Sequence, residues 1–266
     1  MSAAAPIDRA AFVRDNTRVL APPHVPELVL HLADEATALW EKTEEDLGEM
    51  GLPPPYWAFA WAGGQALARY VLDHPDLVKG RPVLDFAAGS GVVGIAAMRA
   101  GAASVVATEI DAFALAAIAA NAALNGVAVT ARDEDATAQP AGRFAVVLCG
   151  DVFYEKPMAE KVLAWLGREI AAGATVLVGD PGRSYLPTDR LEAVAEYRVP
   201  AVGKIGLLTV LNTRLGEILL TRRLPPWLDS SASARYGLAL RTSGEYTGLT
   251  SRTSICSYEY VRNIRV

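Results

Sequence analysis

The sequence predicts an α/β fold in which a parallel sheet is covered by helices on both faces, and three observations carry that expectation. Strand and helix patterns alternate from Arg81 to Asp180, a glycine-rich turn follows the first strand of that run, and 266 residues that are 52% hydrophobic can enclose one large core.

Taken in order, MSAAAPIDRAAFVRDNTRVL is a helix candidate that stops before Ala21-Pro22-Pro23 and Pro26, after which ELVLHLA alternates as a short strand. DEATALWEKTEEDLGEMG reads as a charged surface helix closed by Gly51. Prolines at 53, 54 and 55 break the chain, and YWAFAWAGGQALARYVLDHP then places Ala66, Leu67, Tyr70 and Val71 on a helical pattern. From Arg81 the units alternate. The strands are PVLDFAA, SVVATEI, VAVTARD, FAVVLCG and ATVLVGD; the helices are GVVGIAAMRAG, AFALAAIAANAALNG and PMAEKVLAWLGREIAAG, the last with Pro157 at its start. Ligands of such sheets sit at the carboxyl ends of the strands, so the residues just after each strand carry the chemical reading.

Composition narrows the class. Cys149 and Cys256 are too few for a disulfide framework, and His24, His31 and His74 lack ligand spacing, so no metal site is expected and a reducing compartment fits. No apolar run reaches the roughly 18 residues of a membrane helix. A cytoplasmic protein is expected; arginines in the first 20 residues leave a mitochondrial transit peptide as the alternative, opposed by Asp8 and Asp15. Residues 201–266 hold nine Lys/Arg and four Asp/Glu of the 25 and 30 in the chain, so residues 1–200 hold 16 and 26. An acidic body with a basic tail argues against nucleic acid as partner and suits a cationic target.

The first strand of the run leads into Asp85-Phe86-Ala87-Ala88-Gly89-Ser90-Gly91-Val92-Val93-Gly94, formally G-x-G-x-x-G. A carboxylate four positions before Gly89 sits poorly beside a pyrophosphate but suits a cofactor with an ammonium and a sulfonium. The segment resembles the first motif of class I S-adenosylmethionine methyltransferases, with Ala87 where many members have their first glycine. Glu109 and Asp111 stand 18 and 20 positions beyond Gly91, where a ribose-binding carboxylate is expected. Glu109 ends the strand and is preferred; Asp111 reads as the N-cap of the next helix. The third strand ends in Asp133-Glu134-Asp135, where the resemblance implies a carboxylate for the adenine amine. Asp135 is the choice there, with a solvated acidic turn as the other reading.

After the fourth strand, GDVFYE places Asp151 and Tyr154 in an Asp-x-x-Tyr pattern. That motif, the run PPPYWAFAWAGGQALARYVLDHPDLVKGRPVLDFAAGSG and the later GDPGRSYLP together resemble the lysine methyltransferases of the electron transfer flavoprotein β-subunit, over roughly residues 25–200. The resemblance implies a Rossmann-like, seven-stranded class I methyltransferase sheet. It also implies S-adenosylmethionine as cofactor, a protein substrate, and cofactor contacts from Trp61 and Gly150 beside Asp85, Ala87, Gly89, Gly91, Glu109 and Asp135. Trp61 has a second reading, in which it joins Trp57 and Phe59 in an aromatic packing patch. Asp151 would orient the acceptor amine and Tyr154 would wall the lysine stem; helix capping and core packing are the alternatives. Cys149 reads as a buried strand residue. Asp180 and Arg183 contact the substrate or tie down their own loop.

The expected organisation is an N-terminal extension at 1–60, a cofactor-binding methyltransferase domain at 61–200 and a divergent tail at 201–266. Members of the family finish with an antiparallel strand in a last hairpin. Here AVGKIGLLTVLNTRLGEILL gives a strand or a helix, and ICSYEYVRN is a candidate for the missing strand. The expected function is lysine methylation of the flavoprotein β-subunit. A ribosomal protein or a small amine such as nicotinamide is the alternative acceptor; a dinucleotide oxidoreductase and an inactive cofactor-binding module are the alternatives of other classes.

Overall fold

The computed structural model describes residues 7–34, 39, 48, 52, 54–201 and 204–213. Helix α1 (Arg9–Asp15) begins where the Asp8 carboxylate accepts the Ala11 N–H at 3.0 Å. It is shorter than its pattern, because the chain turns at Asn16 into β1 (Arg18–Leu20), which pairs antiparallel with β2 (Leu30–Leu32). The sequence signalled β2 and not β1. Of the helix expected over 34–51 only Asp34, Leu39 and Gly48 are described, the last two in helical conformation.

Helix α2 (Ala62–Asp73) precedes the alternating run of β3 (Pro82–Phe86), α3 (Val92–Arg99), β4 (Ser104–Glu109), α4 (Ala112–Leu124), β5 (Thr130–Asp133), β6 (Val146–Gly150), α5 (Lys156–Ala171) and β7 (Thr175–Asp180). Strands β3 to β7 are parallel. The sheet order is β5-β4-β3-β6-β7-β9-β8, so it extends one way from β3 through β4 and the other way through β6. Such a reversal opens a crevice at the carboxyl ends of the two central strands.

Both faces of the central strands β3, β6 and β7 are buried, and strand alternation sorts the residues. Val83, Val105, Val146, Leu148 and Leu177 pack beneath α2, α3 and the N-terminal segment around Val25 and Leu28. Leu84, Val147, Cys149, Val176 and Val178 face α5 through Val162, Trp165 and Leu166. This double burial is why the strands read as unbroken apolar runs. Cys149 is buried there, and desolvation pushes its thiol well above the usual range.

The last hairpin is made by β8 (Leu191–Ala201) and β9 (Lys204–Thr213), with β9 inserted antiparallel between β7 and β8. Residues 204–213 therefore fill the position for which ICSYEYVRN was a candidate, and the strand reading of that segment holds. The tail expected from residue 201 thus supplies a strand of the sheet. ICSYEYVRN itself lies outside the described residues.

Asn121 in α4 and Asn125 at its C-cap fasten the N-terminal segment to this core. Asn125 accepts the Val29 N–H at 3.1 Å and donates to the Val29 carbonyl at 2.6 Å. Asn121 accepts the His31 N–H at 2.7 Å and donates to the Ser90 carbonyl in the glycine loop at 2.8 Å. Each amide supplies the donor and acceptor that backbone buried in this position requires.

Candidate active site

At the carboxyl ends of β6 and β7 the backbone of α2 comes unusually close to the sheet. A Cβ on Gly150 would lie 2.9 Å from the Gly64 Cα, and one on Gly179 would overlap the Gly63 carbonyl oxygen. Only hydrogens fit between these chains, which is why Gly63, Gly64, Gly150 and Gly179 meet here. The approach brings the start of α2 onto Asp151, the residue after β6. Asp151 adopts φ 59°, a left-handed conformation that aspartate tolerates better than most residues, and its N–H donates to the Gly179 carbonyl at 2.9 Å.

The Asp151 carboxylate is 7% exposed. Its Oδ2 accepts the Gly64 N–H at 2.8 Å, and its Oδ1 accepts Arg183 Nη2 at 2.6 Å and Nε at 3.2 Å. Burial pushes the carboxyl up, and the Arg183 guanidinium pulls against that shift. Arg183 is delivered by the turn after β7, where Asp180 Oδ1 accepts the N–H groups of Gly182 and Arg183 at 2.7 Å each. Asp180 thus ties its own loop, and Arg183 reaches the motif carboxylate.

Beside this cluster lies a cavity of about 890 Å³, within the range of small-molecule sites. Six carboxylate residues line it (Glu109, Asp111, Glu134, Asp135, Asp151 and Glu155) against three cationic ones, Arg9, Lys161 and Arg183. That balance opposes a pyrophosphate and favours a ligand with positive charge. Of the residues singled out from sequence, Trp61, Ala87, Gly89 and Glu109 face the cavity, as do Asp135, Gly150, Asp151 and Tyr154.

Asp85 and Gly91, also expected at the cofactor, do not line the cavity. Asp85 is 1% exposed and accepts the Gly94 N–H at 2.7 Å, holding the first turn of α3 from beneath. Burial, reinforced by Glu109 and opposed by the Gly94 bond, pushes its carboxyl up to about 8. Gly91 is the left-handed N-cap of α3 at φ 77°, packed over Ile118. Both build the loop whose other side is the cavity wall.

Glu109 does face the cavity. Its Oε1 accepts the Gly89 N–H at 2.7 Å and its Oε2 the Ile110 N–H at 3.1 Å, and burial raises its carboxyl. Ala87, at φ 50°, holds a conformation that glycine takes without strain. Asp111 caps α4 by accepting the Phe113 N–H at 2.8 Å, as its position suggested. Asp135 lies at the far wall. Burial raises its carboxyl, but Lys161 and Thr137 outweigh that and hold it below the usual range.

The mouth is aromatic. Tyr56, Trp61 and Tyr154 are each at least 40% exposed, with the Tyr56 ring 6.1 Å from both neighbours. The indole N–H of Trp61 donates to the Tyr56 carbonyl at 2.8 Å. Trp57 is buried with its ring stacked 6.5 Å from Phe113, and Trp61 also stands edge-on to Phe59 at 5.7 Å. Among the described residues no group of three or more His, Cys, Asp or Glu could hold a metal, and no helix is long and apolar enough to cross a membrane.

Residues 66–150 match the ribosomal protein L11 methyltransferase (PrmA) family. Over 199 residues the chain is 37% identical to the electron transfer flavoprotein β-subunit lysine methyltransferase of Rattus norvegicus, covering 71% of this chain and 76% of that one. The chain belongs to the electron transfer flavoprotein β-subunit lysine methyltransferase family. The Xenopus laevis enzyme of that name is 35% identical over 193 residues, 70% of this chain and 77% of its own, and the Caenorhabditis elegans homolog is 35% identical over 209 residues, 71% and 82%. The protein is thus a methyltransferase on a class I sheet. In this methyltransferase the features that sequence reasoning missed are Tyr56 at the mouth and the Arg183 bond to Asp151. The proline-tyrosine break before α2 was the signal for the first; a contact across 32 residues left none for the second.

Proposed function

We propose that this methyltransferase transfers methyl groups from S-adenosylmethionine to lysine side chains of the electron transfer flavoprotein β-subunit, in a reducing cytoplasmic setting. The observation that carries the reading is the placement of Asp151 between an acidic, ligand-sized cavity and an aromatic mouth. The relatives' names supply the lysine and the flavoprotein. S-adenosylmethionine, when bound, supplies a methyl group on a sulfonium.

The residues present fit that group. Glu109 would accept the ribose hydroxyls, the backbone at Ala87, Gly89 and Gly150 would allow close approach, Asp135 would meet the adenine end, and Trp61 would cover the mouth. Asp85 supports the loop from behind. The chain's remaining tasks are alignment, exclusion of water and delivery of an uncharged amine, since lysine near its reference pKa of about 10.4 is no nucleophile. Asp151 orients that amine, and the rings of Tyr56, Trp61 and Tyr154 line the lysine stem.

A ribosomal protein is the second reading, favoured by the match over residues 66–150. That stretch ends before Asp151 and Tyr154, so it supports the cofactor side of the site and is silent on the acceptor.

Purified enzyme with cofactor is expected to add mass to the β-subunit from the same organism in steps of about 14 Da, one methylene each. If the β-subunit stays unmodified while a ribosomal protein or small amine takes labelled methyl from the same lysate, the proposed acceptor is wrong. Calorimetry tests the cofactor separately. S-adenosylmethionine or its demethylated product should bind where NAD does not, and Glu109→Ala should weaken binding by about 1–3 kcal/mol, the cost of removing a hydrogen bond to a charged group. Tight NAD binding would reverse the reading.

A further inference from the structure

The carboxylate that meets the acceptor is already engaged on both oxygens. Arg183 holds Asp151 Oδ1 through two N–H groups, Gly64 holds Oδ2, and the same guanidinium stands 5.7 Å from the centroid of the Trp61 ring. A bare carboxylate beside aromatic rings is a good receptor for an alkylammonium, because ion pairing and cation–π attraction both favour charge. It would hold lysine in its unreactive form. A permanent cation on that carboxylate has the opposite effect, since like charge disfavours protonation of the incoming nitrogen.

We propose that Arg183 is a positioning residue that neutralises Asp151, so that the mouth accepts the acceptor nitrogen as a free amine and rejects it as an ammonium. This deepens, and rests on, the amine acceptor put forward above. The lysine leaves one proton with solvent on entry. Its lone pair then forms the new N–C bond, the electrons of the breaking C–S bond stay on sulfur, and the product is a methylated ammonium. That product again faces the Arg183 charge, which favours its release.

The other titratable groups around Asp151 leave Arg183 in control. Tyr154 and Glu155 come from its own loop, Tyr56 and Glu109 stand across the cavity, and Asp180 comes from the end of β7. Burial raises the Asp180 carboxyl, its Oδ1 is taken by two backbone N–H groups, and its Oδ2 has no partner among the described residues. The Arg183 side chain itself turns to Asp151.

Two variants separate charge from mere tethering: Arg183→Lys keeps the charge, and Arg183→Gln keeps donors without it. In the Gln variant the rise of kcat with pH should move up by about one pH unit or more while the Lys variant keeps the wild-type midpoint. A second measurement needs neither cofactor nor protein acceptor. Binding of n-butyltrimethylammonium, a fixed cation, should tighten about tenfold in Arg183→Gln relative to wild type. A uniform fall in kcat at an unchanged midpoint overturns the proposal, and so does equal cation affinity in the two proteins, including no binding by either. If the flavoprotein proves not to be the substrate, the wild-type enzyme alone reveals that, and the pH series is run on whichever acceptor takes the label. Failure of the Arg183 inference appears only in the comparison between variants.

Discussion

Gly179→Ala is expected to cost about 3 kcal/mol or more of folding stability, at the upper end of overpacking losses, because both sides of the contact are backbone. The added Cβ would overlap the Gly63 carbonyl oxygen and stand 2.9 Å from Leu67 Cβ, and no rotamer change relieves a clash with a carbonyl. Either the first turn of α2 lifts from β7 or the strand bends. Gly63→Ala presses on the same contact from the other side, with its Cβ 2.7 Å from Asp151 Oδ2. One displacement of α2 would accommodate both, so the double variant should lose less than the sum of the singles. Gly167 supplies the control. It lies inside α5 with nothing within 4 Å of an added Cβ, so Gly167→Ala should be neutral or stabilising by up to about 1 kcal/mol. Urea unfolding of the four variants beside the wild type measures this directly. A Gly179→Ala protein as stable as wild type would show that the α2–β7 approach is loose, and that Gly64 does not fix Asp151 by proximity.

That contact also shows why some of the site was legible in the sequence and some was not. Strands buried on both faces read as apolar runs, so β3, β4, β6 and β7 could be placed, and with them the residues at their ends: Glu109, Gly150, Asp151 and Asp180. The edge hairpin obeys another rule. Residues 191–200 carry Glu192, Glu196 and Arg198 and end in Pro200, features that protect an exposed sheet edge and that imitate a loop when read in one dimension. Strand β9 was readable only as an ambiguous apolar run, since an antiparallel strand that follows another strand has no helix to announce it. The Arg183 bond to Asp151 depends on how the turn after β7 folds back, and no local pattern encodes that. Asp85 is the instructive case. Its position at a strand end suggested a ligand contact, yet strand alternation puts it on the same face as Val83, beneath α3, and away from the cavity.

The burial of Asp85 has a consequence for stability against pH that single residues seldom produce. Its carboxyl is pushed from an ordinary 3.8 to about 8 by desolvation, with Glu109 adding to the shift and the Gly94 N–H opposing it. Between those values the folded protein keeps a proton that the unfolded chain has released. Folding therefore takes up a proton, and stability falls as pH rises through this window. The contribution is fully present below about 4 and fully lost above about 8. At about 1.4 kcal/mol per pH unit the whole loss is on the order of 5 kcal/mol. Asp85→Asn has nearly the shape of the neutral acid, can still accept the Gly94 N–H, and does not titrate. Other raised carboxyls, Glu109, Asp111, Asp151 and Asp180, give the wild-type curve further slope in the same direction, so the informative quantity is the difference between the two proteins. Urea unfolding from pH 5 to pH 9 should find that difference growing in favour of Asp85→Asn by several kcal/mol as pH rises, then levelling off above about 8. Parallel curves would mean that Asp85 ionises freely, which requires water or a cation at the back of the glycine loop. In that case the residue would recover the ligand-facing role that its position in the sequence first suggested.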